Sequence, residues 1–98
     1  MMTALLTNNT NPARVIAKTM DVTPTSSSTR DFIDECENHG ITFHDGAAFI
    51  PRQNIKTFRD HLMNRGNAGA FDGYHYCMES FVDFIDENPD CDLWLTDD

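Results

Sequence analysis

From residue 71 to residue 98 the chain contains no lysine and no arginine. Nine acids fill that stretch: Asp72, Glu79, Asp83, Asp86, Glu87, Asp90, Asp92, Asp97 and Asp98. The seven bases all precede residue 66 and share residues 1–70 with seven acids, so the net charge of −9 resides in the C-terminal third. Such a balance argues against general binding of nucleic acid or anionic membrane, both of which need cationic surface. No apolar stretch approaches the ~20 residues of a membrane span. No charged-then-apolar leader opens the sequence, which leads to the expectation of a cytoplasmic protein. Cys36, Cys77 and Cys91 are an odd, unclustered set, best read as free thiols in a reducing compartment. No nucleophile-elbow serine, glycine-rich phosphate loop or HExxH is present, and no acid has a context that implies a raised pKa. A non-enzymatic protein without cofactor or metal is therefore expected.

What is present suits one small domain. The chain has 98 residues, 40% hydrophobic, with seven phenylalanines, enough to close a core. Residues 1–10 read as a flexible N-terminus and 11–98 as a single globular domain. Asn11-Pro12 looks like a helix start, and residues 12–20 predict a short helix burying Val15, Ile16 and Met20. Ser28 is a candidate cap for a helix over residues 29–39, with Phe32, Ile33 and Cys36 inward and Gly40 as its stop. Asp45-Gly46 between 41–44 and 47–50 is a strong β-hairpin signal. A helix over 52–64 carries the stripe Ile55, Phe58, Leu62 and Met63. Another, over 73–87, carries Tyr74, Cys77, Met78, Phe81 and Ile85. Residues 91–95 suggest a short edge strand or an apolar clasp. The expected fold is α+β: about four short helices packed around the 41–50 hairpin, with the option of a C-terminal strand.

Three constellations bear on chemistry. Glu79, Asp83, Asp86 and Glu87 fall opposite the apolar stripe of the last helix. Acids four residues apart lie ~6 Å apart along a helix axis, a repeat that imitates a sparse run of phosphates. Like charges at that spacing cost a few tenths of a kcal/mol, so packing or a cationic partner must compensate. Asp86, Asn88, Asp90, Asp92 and Asp97 echo a calcium loop. The required glycine is replaced by Cys91, however, and Pro89 stiffens the turn, so no calcium site is expected. Cys36 and His39, with His75 and Cys77, could supply four ligands. Both cysteines lie on apolar stripes, so a core role is expected instead.

Residues 12–50 resemble a winged helix-turn-helix of the kind found in bacterial transcription regulators. Residues 13–26 would supply the positioning helix and turn, 29–38 the recognition helix, and 41–50 the wing. The resemblance implies a DNA-reading or protein-binding fold. Asp31, Asp34, Glu35 and Glu37 against a single Arg30 on the second helix favour the protein-binding use, because phosphates and base edges are mostly acceptors. In size, charge and motif content the chain is also similar to phage anti-defence proteins of the anti-CRISPR type.

The expectation that follows is a binding inhibitor or regulator. Glu79, Asp83, Asp86 and Glu87, extended by Asp90 and Asp92, would pair with lysines and arginines of a basic nucleic-acid-binding protein. Trp94 would supply the apolar anchor. The alternatives are a small winged helix-turn-helix regulator and an assembly protein whose acidity is incidental. A homodimer is compatible with any of these.

Overall fold

The computed structural model describes residues 1–8 and 17–97. In chain order the elements are β1 (Met2–Thr7), β2 (Ala17–Asp21), α1 (Ser26–Asn38), β3 (Ala47–Ile50), α2 (Arg52–Asn67), α3 (His75–Asp86) and β4 (Asp92–Asp97). The four strands form one antiparallel sheet in the order β2-β1-β4-β3. The result is a small α+β domain with short helices packed against that sheet.

Strand alternation decides which face of the sheet is covered. Met2, Ala4 and Leu6 of β1 are buried, as are Ala48 and Ile50 of β3 and Leu93 and Leu95 of β4. These join Phe32 and Cys36 of α1, Ile55, Phe58 and Leu62 of α2, and Met78, Phe81 and Ile85 of α3 in one core. Phe81 sits at its centre, edge-on to Phe32 at 5.9 Å and to Phe58 at 6.3 Å. Each such buried ring contributes roughly 2–3 kcal/mol through burial alone. The other face carries the intervening residues Leu5, Phe49 and Trp94.

Several expectations need correction. Met2–Thr7, read as a frayed terminus, is a central strand, paired on one side with β2 and on the other with β4. The helix expected over 12–20 lies partly outside the described residues. Where it is described, Ala17–Asp21 is a strand whose five residues all pair with β1. Its one-sided helical pattern was weak, and a backbone ladder supplied from elsewhere in the chain outweighs such local preference. The positioning helix of a helix-turn-helix is therefore absent over residues 17–21. The hairpin over 41–50 is also reduced. Its turn forms as the residues dictate, with Asp45 at φ 53° and Gly46 at φ 79°. His44 and Ala47 exchange both backbone hydrogen bonds, at 2.8 and 3.0 Å. Pairing stops there, because β3 takes β4 as its partner. Residues 92–97 are accordingly an inner strand and not an edge, and the edges are β2 and β3.

Helix ends follow local chemistry closely. The cap of α1 is Thr25, whose Oγ1 accepts the Ser28 N–H at 3.1 Å, while Ser28 Oγ accepts the Thr25 N–H at 3.0 Å. Ser28 thus belongs to the capping box but is not the cap itself. Gly40, at φ 90°, ends α1, with Ile41 N–H returning to the Cys36 carbonyl at 3.0 Å. Pro51 offers α2 no capping side chain. Asp92 of β4 does so instead, its Oδ1 accepting the Arg52 N–H at 2.9 Å.

Candidate partner-binding surfaces

The acidic helix α3 is anchored before it is displayed. Tyr74, buried at its N-terminus, donates its hydroxyl to Asp31 Oδ2 of α1 at 2.6 Å. Burial, and then the bond to Asp31, push the Tyr74 phenol well above its ordinary pKa. The inward side of α3 holds Met78, Phe81, Val82 and Ile85. Its outward side carries Tyr76, Glu79 and Asp83, and the same stripe continues to Glu87 just beyond the last turn, at spacings of three, four and four. Tyr76 is 73% exposed.

Of the four helical acids expected to act together, Asp86 is already engaged. Arg59 of α2 grips it through Nε to Oδ1 at 3.1 Å and Nη2 to Oδ2 at 3.0 Å. Glu79, Asp83 and Glu87 make no ion pair among the described residues. The nearby cations are spoken for. Arg59 also reaches Asp60 at 3.2 Å, Lys56 lies 3.7 Å from Asp60, and Arg65 holds Glu35 through two 2.9 Å hydrogen bonds.

The remaining expected residues divide between two sides of the molecule. Asp90 is exposed in the turn before β4, its backbone carbonyl 3.4 Å from Arg52 Nη1. Asp92 and Trp94 both stand on the uncovered face of the sheet, across it from the helical layer. Trp94 therefore cannot anchor a partner on the same surface as Glu79 and Asp83. It packs instead against Phe49 of β3, with ring centroids 4.7 Å apart and the rings tilted by 46°, and these two are 37% and 45% exposed. Sequence reasoning missed Tyr76 and Phe49. Tyr76 was legible from helical phase, three residues before Glu79. Phe49 was not, because its place beside Trp94 depends on the pairing of β3 with β4.

Other polar groups form a network between α1 and α2. Glu35 accepts from Arg65 and lies 3.9 Å from His61 Nε2, and the rings of His61 and His39 stack at 4.3 Å. The Arg65 guanidinium holds the Glu35 carboxyl below its ordinary pKa, and burial, then His61, lower that of His39. A cavity of about 300 Å³ beside β3 is lined by His39, Ile41, Phe49, Pro51, Asn54 and Phe58. His39 is the one titratable side chain lining it among the described residues, and the threonines Thr42 and Thr57 line it as well. Cys36 is buried in the core, far above its usual pKa because of that burial. No group of three or more His, Cys, Asp or Glu side chains among the described residues is placed to hold a metal ion. No helix of the described residues is long and apolar enough to cross a membrane. Comparison with known protein families, curated proteins and solved structures gives no match.

Proposed function

We propose that the protein is a non-enzymatic inhibitor or regulator that binds another protein, and that α3 occupies a basic, normally nucleic-acid-binding site of that partner. The observation that carries this reading is that Glu79, Asp83 and Glu87, on one exposed stripe, have no ion-pair partner among the described residues, while Arg59, Arg65 and Lys56 pair with other acids. A fold that leaves like charges ~6 Å apart without a cation accepts a small cost that a cationic partner relieves. The stripe is rigid, because α3 is fixed by Phe81 in the core and by the Tyr74–Asp31 bond. Tyr76, at its head, takes the role of aromatic contact earlier given to Trp94. Electrostatic attraction speeds association and makes it salt-dependent. Such a protein acts in the cytoplasm as a DNA mimic, a type that phages use against host defences.

The test is a displacement assay with labelled duplex DNA, followed by fluorescence anisotropy. The protein alone leaves the DNA unbound even at low salt, and displaces it from a basic DNA-binding target. The double variant Asp83→Lys, Glu87→Lys keeps its fold by circular dichroism and fails to displace. Undiminished displacement by that variant would sink the reading.

A further inference from the structure

The sheet face opposite the helices, which no described element covers, is a second surface, independent of α3. Across its middle runs one row of directly paired residues, Thr19, Leu5, Trp94 and Phe49, contributed by all four strands. Three of the four are apolar, and two are aromatic side chains more than a third exposed. Sheets with one bare face are ordinary, but that face is usually polar, and a contiguous apolar row that ends in two exposed aromatics marks a contact surface.

Charge decides among the possible occupants. The charged side chains that the strands place on this face are Asp21 and Asp92, and no lysine or arginine stands there among the described strand residues. Nucleic acid is repelled by such a face, and so is a second copy of a chain of net charge −9. A cationic protein segment is attracted. Asp92 lies two residues from Trp94 on the same strand and face, about 7 Å along it. Its Oδ1 is held by the Arg52 N–H at 2.9 Å, which fixes the carboxylate, and Oδ2 has no partner among the described residues. A planar cation lying on the indole of Trp94 is therefore within reach of a pre-oriented carboxylate. Guanidinium meets both demands, because it stacks on aromatic faces and donates in a fork to carboxylates.

We propose that the open sheet face receives an arginine-rich extended segment of a protein partner, with a guanidinium stacked on Trp94 beside Phe49 and paired to Asp92. Trp94 is the single tryptophan of the chain, so its emission reports this face directly. The probe is a nona-arginine peptide, titrated in about 0.15 M salt, where the screening length is ~8 Å and α3 acts weakly across the domain. Nona-arginine changes Trp94 emission saturably, and nona-lysine binds several-fold more weakly. Asp92→Asn keeps an amide oxygen to cap α2 yet loses the charge, and weakens binding about tenfold. Phe49→Ala weakens it likewise. The triple variant Glu79→Gln, Asp83→Asn, Glu87→Gln keeps the response, so loss of the α3 reading and loss of this one are told apart.

Three outcomes overturn the proposal. The first is unchanged affinity in both Asp92→Asn and Phe49→Ala. The second is a response lost in the α3 triple variant but kept in Phe49→Ala, which means general attraction. The third is an emission that shifts with protein concentration alone, which means a second copy covers the face.

Discussion

Arg59 and Asp86 face each other across the α2–α3 contact, and the arginine takes both carboxylate oxygens of the acid. The pairing removes one acid from the outward stripe and ties the helix that bears the stripe to its neighbour. The same bond raises the pKa of Arg59 further above its usual value. Arg59 therefore serves the fold at the expense of charge on the surface.

That trade can be reversed. Arg59→Ala releases Asp86 and makes the α3 side one charge more negative. The expected outcome is a slightly lower melting temperature together with faster association with a basic partner at low salt, read by stopped-flow mixing. A slower association would show that Arg59 itself contacts the partner.

Two buried threonines tie β1 to α1. Met2 N–H donates to Thr23 Oγ1 at 3.1 Å, the Thr23 and Thr29 hydroxyls bond each other, and Thr29 donates to the Thr25 carbonyl at 3.0 Å. The chain of donors starts at a strand N–H and ends at a helix cap, with no water needed. Thr23→Val keeps the shape but strands the Met2 N–H and the Thr29 oxygen. A loss of about 2 kcal/mol is expected, since a buried unpaired polar group costs ~1–3 kcal/mol. Urea denaturation measures it, and a loss below ~0.5 kcal/mol would deny the chain its role.

Acidification acts on the α1–α2 contact in two stages. His39 has a folded pKa below its unfolded value near 6.5, because of burial first and the adjacent His61 second. The unfolded chain therefore takes up that proton first, and the stabilisation present above pH 6.5 is lost as pH falls through the folded pKa. The Glu35 carboxyl is held below its ordinary 4.5, mainly by the hydrogen bond from Arg65. Its contribution persists above pH 4.5 and is lost at lower pH. Melting temperature followed against pH should thus fall once below 6.5 and again below 4.5. His39→Gln should erase the first fall and Glu35→Gln the second. Persistence of the upper fall in His39→Gln assigns it elsewhere.

The helices were legible in the sequence because their information is local. Ile55, Phe58 and Leu62 repeat with the helical period, and Gly40 and the Asp45-Gly46 pair announce their own backbone angles. The strand positions near 47–50 and 91–95 were legible too, but the two N-terminal strands were not. Met2, Ala4 and Leu6 alternate over only six residues, too few to tell a central strand from a frayed end. Ala17–Asp21 becomes a strand because β1 offers it a ladder, and nothing within those five residues announces that. The acidic stripe survives in outline, since helical phase predicts which acids share a face. The engagement of Asp86 and the separation of Trp94 from that stripe arise from contacts 27 residues apart and from sheet register, which no local pattern encodes.

The three thiols should separate by exposure. Cys36 and Cys91 are buried, and burial raises the pKa of both, with the nearby Glu35 and Glu37 adding to the effect at Cys36. A thiolate is the reacting form, so both should be inert in the native protein. Cys77 is half-buried on the flank of α3, close in sequence to Tyr76 and Glu79, and no disulfide engages it. Treatment with a chromogenic disulfide reagent at pH 8 should therefore modify one thiol in the folded chain and three after denaturation. Cys77→Ser should abolish the native reaction. Two or three fast thiols in the native state would instead mean that the helical layer opens readily, and a layer that opens cannot present Glu79, Asp83 and Glu87 at a fixed spacing. The thiol count thus also tests whether the acidic stripe is a rigid surface.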